Sequence, residues 1–135
     1  MHKAWAVFAS ALLAGCQTSG DGQSPTANAP ALPANYRQIV IEGVKKTFID
    51  PSSIRDAGIS APIPGNAVMG AVTTVCVRAK AKNKMGVYTG MTTTAFMFQG
   101  GRLASTETQY TAGLCAGVPY GPFPEIDSAS QTARR

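Results

Sequence analysis

Cys76, Arg78, Lys80 and Lys82 occupy alternate positions of the segment VCVRAKAK, and Lys84 follows two residues later. Alternate side chains of an extended strand leave one face about 7 Å apart. The spacing therefore lays a thiol and a row of cations along a single surface. Such a row attracts phosphate, a lipid headgroup or an acidic protein face. A plainer role for the lysines is to keep a sheet face solvated and its edge unpaired. The acids expected to face the row are Glu107 and Glu42. The segment continues as KAKNKMGVYTG, 80–90, where Asn83, Gly86 and Gly90 suit a loop. Tyr88 can stack on a sugar or pack beneath that loop. Residues 82–90 are thus a candidate contact loop carrying Asn83, Gly86, Tyr88 and Gly90.

Catalysis finds fewer residues. The one histidine is His2, so a Ser-His or Cys-His nucleophile has no base within a folded core. The carboxylates considered for acid–base work are Glu42, Asp50, Asp56 and Glu107. Asp50 precedes Pro51 and reads as a turn residue, while Glu42 and Glu107 read as solvated. Asp50 and Asp56 form a nominal pair for glycosidase-type chemistry, but nothing in their spacing singles them out. The chain contains no Walker loop, GxSxG or HExxH. A zinc site draws on His or clustered Cys, and Cys76 and Cys115 form no CxxC. Neither an enzyme, a cofactor nor a metal site is expected.

The N-terminus carries an address. His2 and Lys3 give a short basic start, Ala4 to Ala14 are apolar or small apart from Ser10, and Leu13-Ala14-Gly15-Cys16 follows. Eleven apolar residues fall short of the ~20 that a bilayer crossing needs and fit the core of a secretory signal. The ending resembles the lipobox of bacterial lipoproteins. That resemblance implies a diacylglycerol thioether on Cys16, cleavage before it, and acylation of the new amine, as with palmitate. Such chains anchor a protein without spanning the membrane, each buried methylene adding ~0.8 kcal/mol. Gln17 stands where the enterobacterial sorting pattern places a retaining Asp, which leans toward the outer membrane. The expected location is therefore lipid-anchored, facing the periplasm or the cell surface. The alternative is an ordinary secretory peptide with a coincidental Cys.

With Cys16 assigned to lipid, Cys76 and Cys115 remain as an even pair in an oxidising compartment. A disulfide between them is expected. Two separate buried thiols are the alternative, and the sequence leaves open whether the two are bonded to each other.

Hydrophobic residues make up 44% of the chain against 14% charged, which excludes a wholly disordered protein. The net charge is +5. Residues 1–15 read as signal peptide. Residues 16–33, the lipidated Cys and QTSGDGQSPTANAPALP, read as a flexible tether, whose mean span would be ~20–25 Å. One small domain is expected over 34–124, followed by a loose tail, 125–135. Tyr36, Ile39, Val40, Val44 and Phe48 recur at helical spacing with Gly43 on the same side. Asn35 is the expected N-cap and Asp50-Pro51 the stop, with Lys45 and Lys46 in the last turn, where the helix dipole favours cations. A short strand over 54–60 and a loop over 61–66 come next. A strand with Val75, Val77, Ala79 and Ala81 inward has Thr74, Cys76, Arg78, Lys80 and Lys82 on a solvated face. The strand 92–99 turns at Gly100-Gly101 into a strand 102–110. That hairpin pairs Gln99 with Arg102, Phe98 with Leu103 and Met97 with Ala104, so Phe96, Phe98 and Leu103 share a face. Ala95, Met97, Ala104 and Tyr110 share the other, and which face meets the helix is open. The class is α+β, one N-terminal helix packed on an antiparallel sheet of three or four strands.

DPSSIRDAGIS at 50–60 and VCVRAKAKNKMGVYTG at 75–90 together resemble a pattern in small uncharacterised bacterial envelope and secreted proteins. It joins an Asp-Pro-x-Ser turn (Asp50, Pro51, Ser53) to a strand Cys (Cys76), then Ala-Lys-Asn (Ala81, Lys82, Asn83) and Gly-x-Tyr-Thr-Gly (Gly86 to Gly90). The residue after the Cys is often Gly in that pattern and is Val77 here. The resemblance implies a fold and a domain boundary, not an activity. A vaguer likeness of architecture is to small outer-membrane assembly lipoproteins. The functional expectation is a lipid-anchored, non-enzymatic binding or structural module of the envelope. Its partners would be the membrane, through Cys16, and an envelope protein or anionic envelope component; nucleic acid is not expected. The alternative is an inhibitor of a hydrolase, such as lysozyme or a protease, that inserts the loop 82–90 into its target.

Overall fold

A computed structural model describes residues 32–65, 70–108 and 112–132. The expected signal peptide, Cys16 and nearly all of the expected tether lie outside the described residues. Helix α1 runs Tyr36–Thr47. It buries Val40, Gly43 and Val44 on one stripe, as the 3.6-residue spacing requires. Asn35 precedes it without a side-chain cap bond; its carbonyl instead accepts from the Gln38 and Ile39 amides. The helix closes with the Phe48 amide on the Val44 carbonyl, and Pro51 opens a 3-10 turn, Pro51–Ser53.

The strands are β1 (Arg55–Ser60), β2 (Ile63–Pro64), β3 (Val72–Lys80), β4 (Thr92–Gln99), β5 (Arg102–Glu107) and β6 (Tyr120–Pro122). A short helix α2, Ala112–Cys115, lies between β5 and β6, and α3, Ser128–Thr132, follows β6. The described strands form one antiparallel sheet in the order β5-β4-β3-β1-β6, with β2 also paired to β3. The fold is α+β with one main helix, and its six strands exceed the three or four expected. The additions are β2, inside the expected loop 61–66, and β6, built from a Gly-Pro segment. Neither is long enough for alternation to declare a strand.

The hairpin pairs Gln99 with Arg102 and Phe98 with Leu103, but Met97 then faces Ser105. One extra residue, Ala104, makes a bulge, so the expected Met97–Ala104 pair does not form. Gly100 and Gly101 both hold positive φ, as the tight turn demands. β5 ends at Glu107, and Tyr110 lies outside the described residues.

Val75, Val77, Ala79, Phe96 and Phe98 face the helix and join Val40, Val44, Ile54, Ile59 and Phe123 in the main core. The helix approaches Phe96 so closely that a Cβ on Gly43 would sit 2.5 Å from its ring. Two expected boundaries move. Leu32 packs against this core, so the domain begins before residue 34. The expected loose tail is packed at least through residue 128. Ile126 is buried in the core, Asp127 Oδ2 accepts from the Ala57 amide at 3.1 Å, and the Ser128 amide and hydroxyl both donate to the Ile54 carbonyl. Small, polar SASQTARR pointed to a loose end, but Phe123 and Ile126 just before it were the apolar signal for packing.

Candidate functional site

The row of cations begins where the reverse face of β3 leaves its cover. Cys76 and Ala95, paired across β3 and β4, are buried with Cys115 beneath Leu114, Ile63 and Tyr120. Cys76 and Cys115 are joined as a disulfide with Cα atoms 5.9 Å apart, which holds α2 on this face. Thr74 and Cys76 are therefore buried, and the expected solvated face starts only at Arg78.

Antiparallel pairing sets β1 beside the charged half of β3, with Arg55 opposite Lys80 and Gly58 opposite Arg78. The register shifts between Arg55 and Gly58, and Asp56 takes φ 53° there. An Asp tolerates this left-handed conformation better than most residues. Its carboxylate meets Lys80 Nζ at 2.9 Å, and that hydrogen bond holds it below its ordinary pKa. Asp56, not among the acids expected to face the row, is thus an acid bound to it. Glu42 instead accepts from Lys45 on its own helix at 2.9 Å. Residue spacing alone could not show this, because the pairing of β1 with β3 decides it.

The other cations lie against tyrosine rings. The Arg78 guanidinium is 4.4 Å from the Tyr120 ring centroid. Gly58 makes room for this stack, since a Cβ there would come within 3.1 Å of Tyr120 Cβ and 3.4 Å of Arg78 Nε. Together with Asp56, Gly121 and Pro122 these residues line a shallow depression of about 270 Å³. Burial pushes the Tyr120 phenol up, against the opposing charge of Arg78. The Arg55 guanidinium sits 3.9 Å from the Tyr88 centroid and its Nε donates to the Tyr88 hydroxyl. Lys82 Nζ is 5.5 Å from the same ring. Tyr88 in turn donates to the Ser53 carbonyl at 2.8 Å. Of its two expected roles, the structure shows packing beneath the loop, with the ring as a seat for cations. Arg55 and Tyr120 were not singled out in the sequence, because Arg55 sits on β1 beside β3 and Tyr120 on β6 beyond β1, a neighbourhood made only in the folded sheet.

The loop is braced from within. Asn83 Oδ1 accepts from the Met85 and Val87 amides at 2.9 and 3.2 Å. Its carbonyl accepts from Gly86, and its own amide donates to Val87. Gly86 has φ 73°, which closes the turn, and Lys82 bridges to Tyr88. Gly90 is exposed and adds no such constraint. Lys84 is exposed in the turn.

The nominal acid pair does not divide into acid and base. The Ser52 hydroxyl donates to Asp50 and lowers its pKa, and Lys80 lowers that of Asp56. A glycosidase needs one carboxyl held protonated. Among the described residues, no three of His, Cys, Asp and Glu gather as a metal site would require. A second concavity, about 500 Å³, lies between α1 and the C-terminal segment over Ile41, Val44, Ile54 and Ile126. Arg37 bridges nearby to Glu125 at 2.6 Å, and this bond raises the Arg37 pKa.

No family model, no curated protein and no solved structure matches the chain. The functional reading therefore rests on the residues and their geometry.

Proposed function

We propose that the protein is a lipid-anchored module of a bacterial envelope that binds rather than catalyses. Its partner is an anionic envelope component met by Arg55, Arg78, Lys82 and Lys84. The observation that carries this reading is how the cations are held. Lys80 is neutralised by Asp56, whereas Arg55, Arg78 and Lys82 lie on tyrosine rings. A ring orders a cation without cancelling its charge, so these groups are positioned and remain positive. Bidentate guanidinium geometry suits carboxylate and phosphate oxygens. The anchor part of the proposal stands on Leu13-Ala14-Gly15-Cys16 alone.

Two measurements test the two parts separately. Cys16→Ser should move the protein out of the membrane fraction or leave an uncleaved precursor, and an unmodified Cys16 in the mature protein would sink the anchor. A chain with Arg78→Gln, Lys82→Gln and Lys84→Gln should stay folded, lose affinity for anionic envelope material and show a flatter salt dependence. Unchanged binding and an unchanged salt slope would reduce the cations to a solubilising role.

A further inference from the structure

The large hydrophobic side chains exposed among the described residues are Ile49, at 62%, Met85, at 82%, Val87, at 57%, and Met91, at 45%. They belong to one end of the domain. Met85 and Val87 sit on the braced loop, and Met91 follows in the same β3–β4 connection. Ile49, just past α1, lines a small hollow with Lys82, Asn83 and Thr89 of that connection and with Thr92 at the start of β4. Four apolar side chains gathered at one end, with Met85 almost fully in water, are costly unless something covers them.

Three features select the cover. Met85 and Val87 stand exposed on the turn and do not line that hollow, so they present an apex rather than a groove for another chain to fill. Its amides at Met85, Gly86 and Val87 are already bonded to Asn83, so the turn can leave water without orphaning those donors. Connection residues 81–91 hold Lys82 and Lys84 and no carboxylate. The acid nearest in influence is Asp50, whose pKa Lys82 helps to lower. An apolar apex flanked by lysines matches an anionic bilayer surface, with methionine and valine among the acyl chains and the ammonium groups at the phosphates.

We propose that the 82–91 tip, with Ile49, inserts shallowly into an anionic lipid surface. This extends the binding reading by naming lipid as the partner of the contact loop. The tip lies at the C-terminal end of α1, and the chain enters at the N-terminal end, about 18 Å away for this helix of 12 residues. At up to 3.3–3.6 Å per residue, the stretch from Cys16 to Leu32 has length enough for anchor and tip to share one bilayer.

The test uses the mature chain, from residue 16 onward, with Met85→Trp as its single tryptophan, because Trp5 belongs to the expected signal peptide. On vesicles containing phosphatidylglycerol, emission from position 85 should shift to shorter wavelength and be quenched by brominated acyl chains, and both effects should be weaker on phosphatidylcholine alone. A reporter made by Gln99→Trp, at the other end of β4, should show neither. In a separate mature chain that keeps its other native residues, Met85→Asp with Val87→Asp should lower vesicle association about tenfold when Cys16→Ser has removed the anchor. Unshifted, unquenched emission at position 85 on phosphatidylglycerol vesicles would overturn the proposal. It would return the loop to a protein partner such as a hydrolase cleft. Sedimentation of the Cys16→Ser chain reports the anchor independently, so failure of the tip and failure of the anchor are read on different signals.

Discussion

On the face of the sheet that meets α1, Val75, Val77, Phe96 and Phe98 are sealed against Val40, Val44, Phe123 and Ile126. On the reverse face of the same strands, the buried apolar side chains Cys76 and Ala95 are covered by a four-residue helix tied down through Cys115. Two positions further along β3, Arg78 is in solvent beside Tyr120. The first face is held by apolar area taken from water. The second has too little apolar surface to hold a cover by that means, and a covalent staple takes its place. The remainder of the second face is left open, and that is where the oriented cations are. A small domain can keep one face for stability and free part of the other for contact, provided the staple stops the short cover from fraying.

Four changes would break or sharpen that contrast. The largest effect should come from ending the chain at Pro124. This removes Ile126 from the helix-side core, the Asp127 bond to Ala57 and the Ser128 bonds to Ile54. The loss is about 4–6 kcal/mol, comparable with the whole stability of a small domain. Chemical denaturation should show the truncated chain largely unfolded in water, and a cooperative transition at an unchanged midpoint would mean that the helix-side core closes without this segment.

Next is the staple. Cys76→Ala with Cys115→Ala should cost about 3–4 kcal/mol for a separation of 39 residues, and should expose the reverse face while leaving α1 packed. Hydrogen exchange should rise first in α2 and β6. Equal loss of protection in α1 would show that the faces are one cooperative unit. Two titratable thiols in oxidised protein would remove the bond itself.

A smaller change tests the apolar face. Alanine is a better helix former than glycine by about 1 kcal/mol, yet Gly43→Ala should destabilise by about 1–2 kcal/mol, because its Cβ would meet the buried Phe96 ring. A raised Tm would show that the ring yields.

The smallest effect is electrostatic. Hydrogen bonds from Ser52, Lys80 and Lys45 lower the pKa of Asp50, Asp56 and Glu42, all at the surface. Carboxylates whose folded pKa lies below the unfolded value stabilise the fold above the unfolded pKa, and that gain is lost as pH falls through the folded one. Tm should therefore be flat near neutrality and fall modestly below about pH 4. Asp56→Asn should remove part of that fall without changing the neutral-pH transition, since exposed pairs contribute little.

Much of the architecture is legible in residue periods. The helix, strands β1, β3 and β4 and the Gly100-Gly101 turn follow from repeats of 3.6 and 2 and from residues that accept positive φ. The α+β class follows with them. The cysteine pair, once Cys16 is set aside, also points to its own partner. These features are local, or depend on a simple count, and a sequence carries such information directly. The bulge at Ala104, the pairing of β1 with β3, and the choice of face for α1 depend on contacts between distant segments. So does the surface made from them. Asp56 reaches Lys80, Tyr120 reaches Arg78 and Tyr88 reaches Arg55 because three strands and a loop come together, and no spacing along the chain encodes those distances. The sequence determined which residues could be charged, apolar or crosslinked. Tertiary structure decided which cations meet a carboxylate and which apolar side chains are left facing water, because ion pairing and burial are properties of neighbours in space.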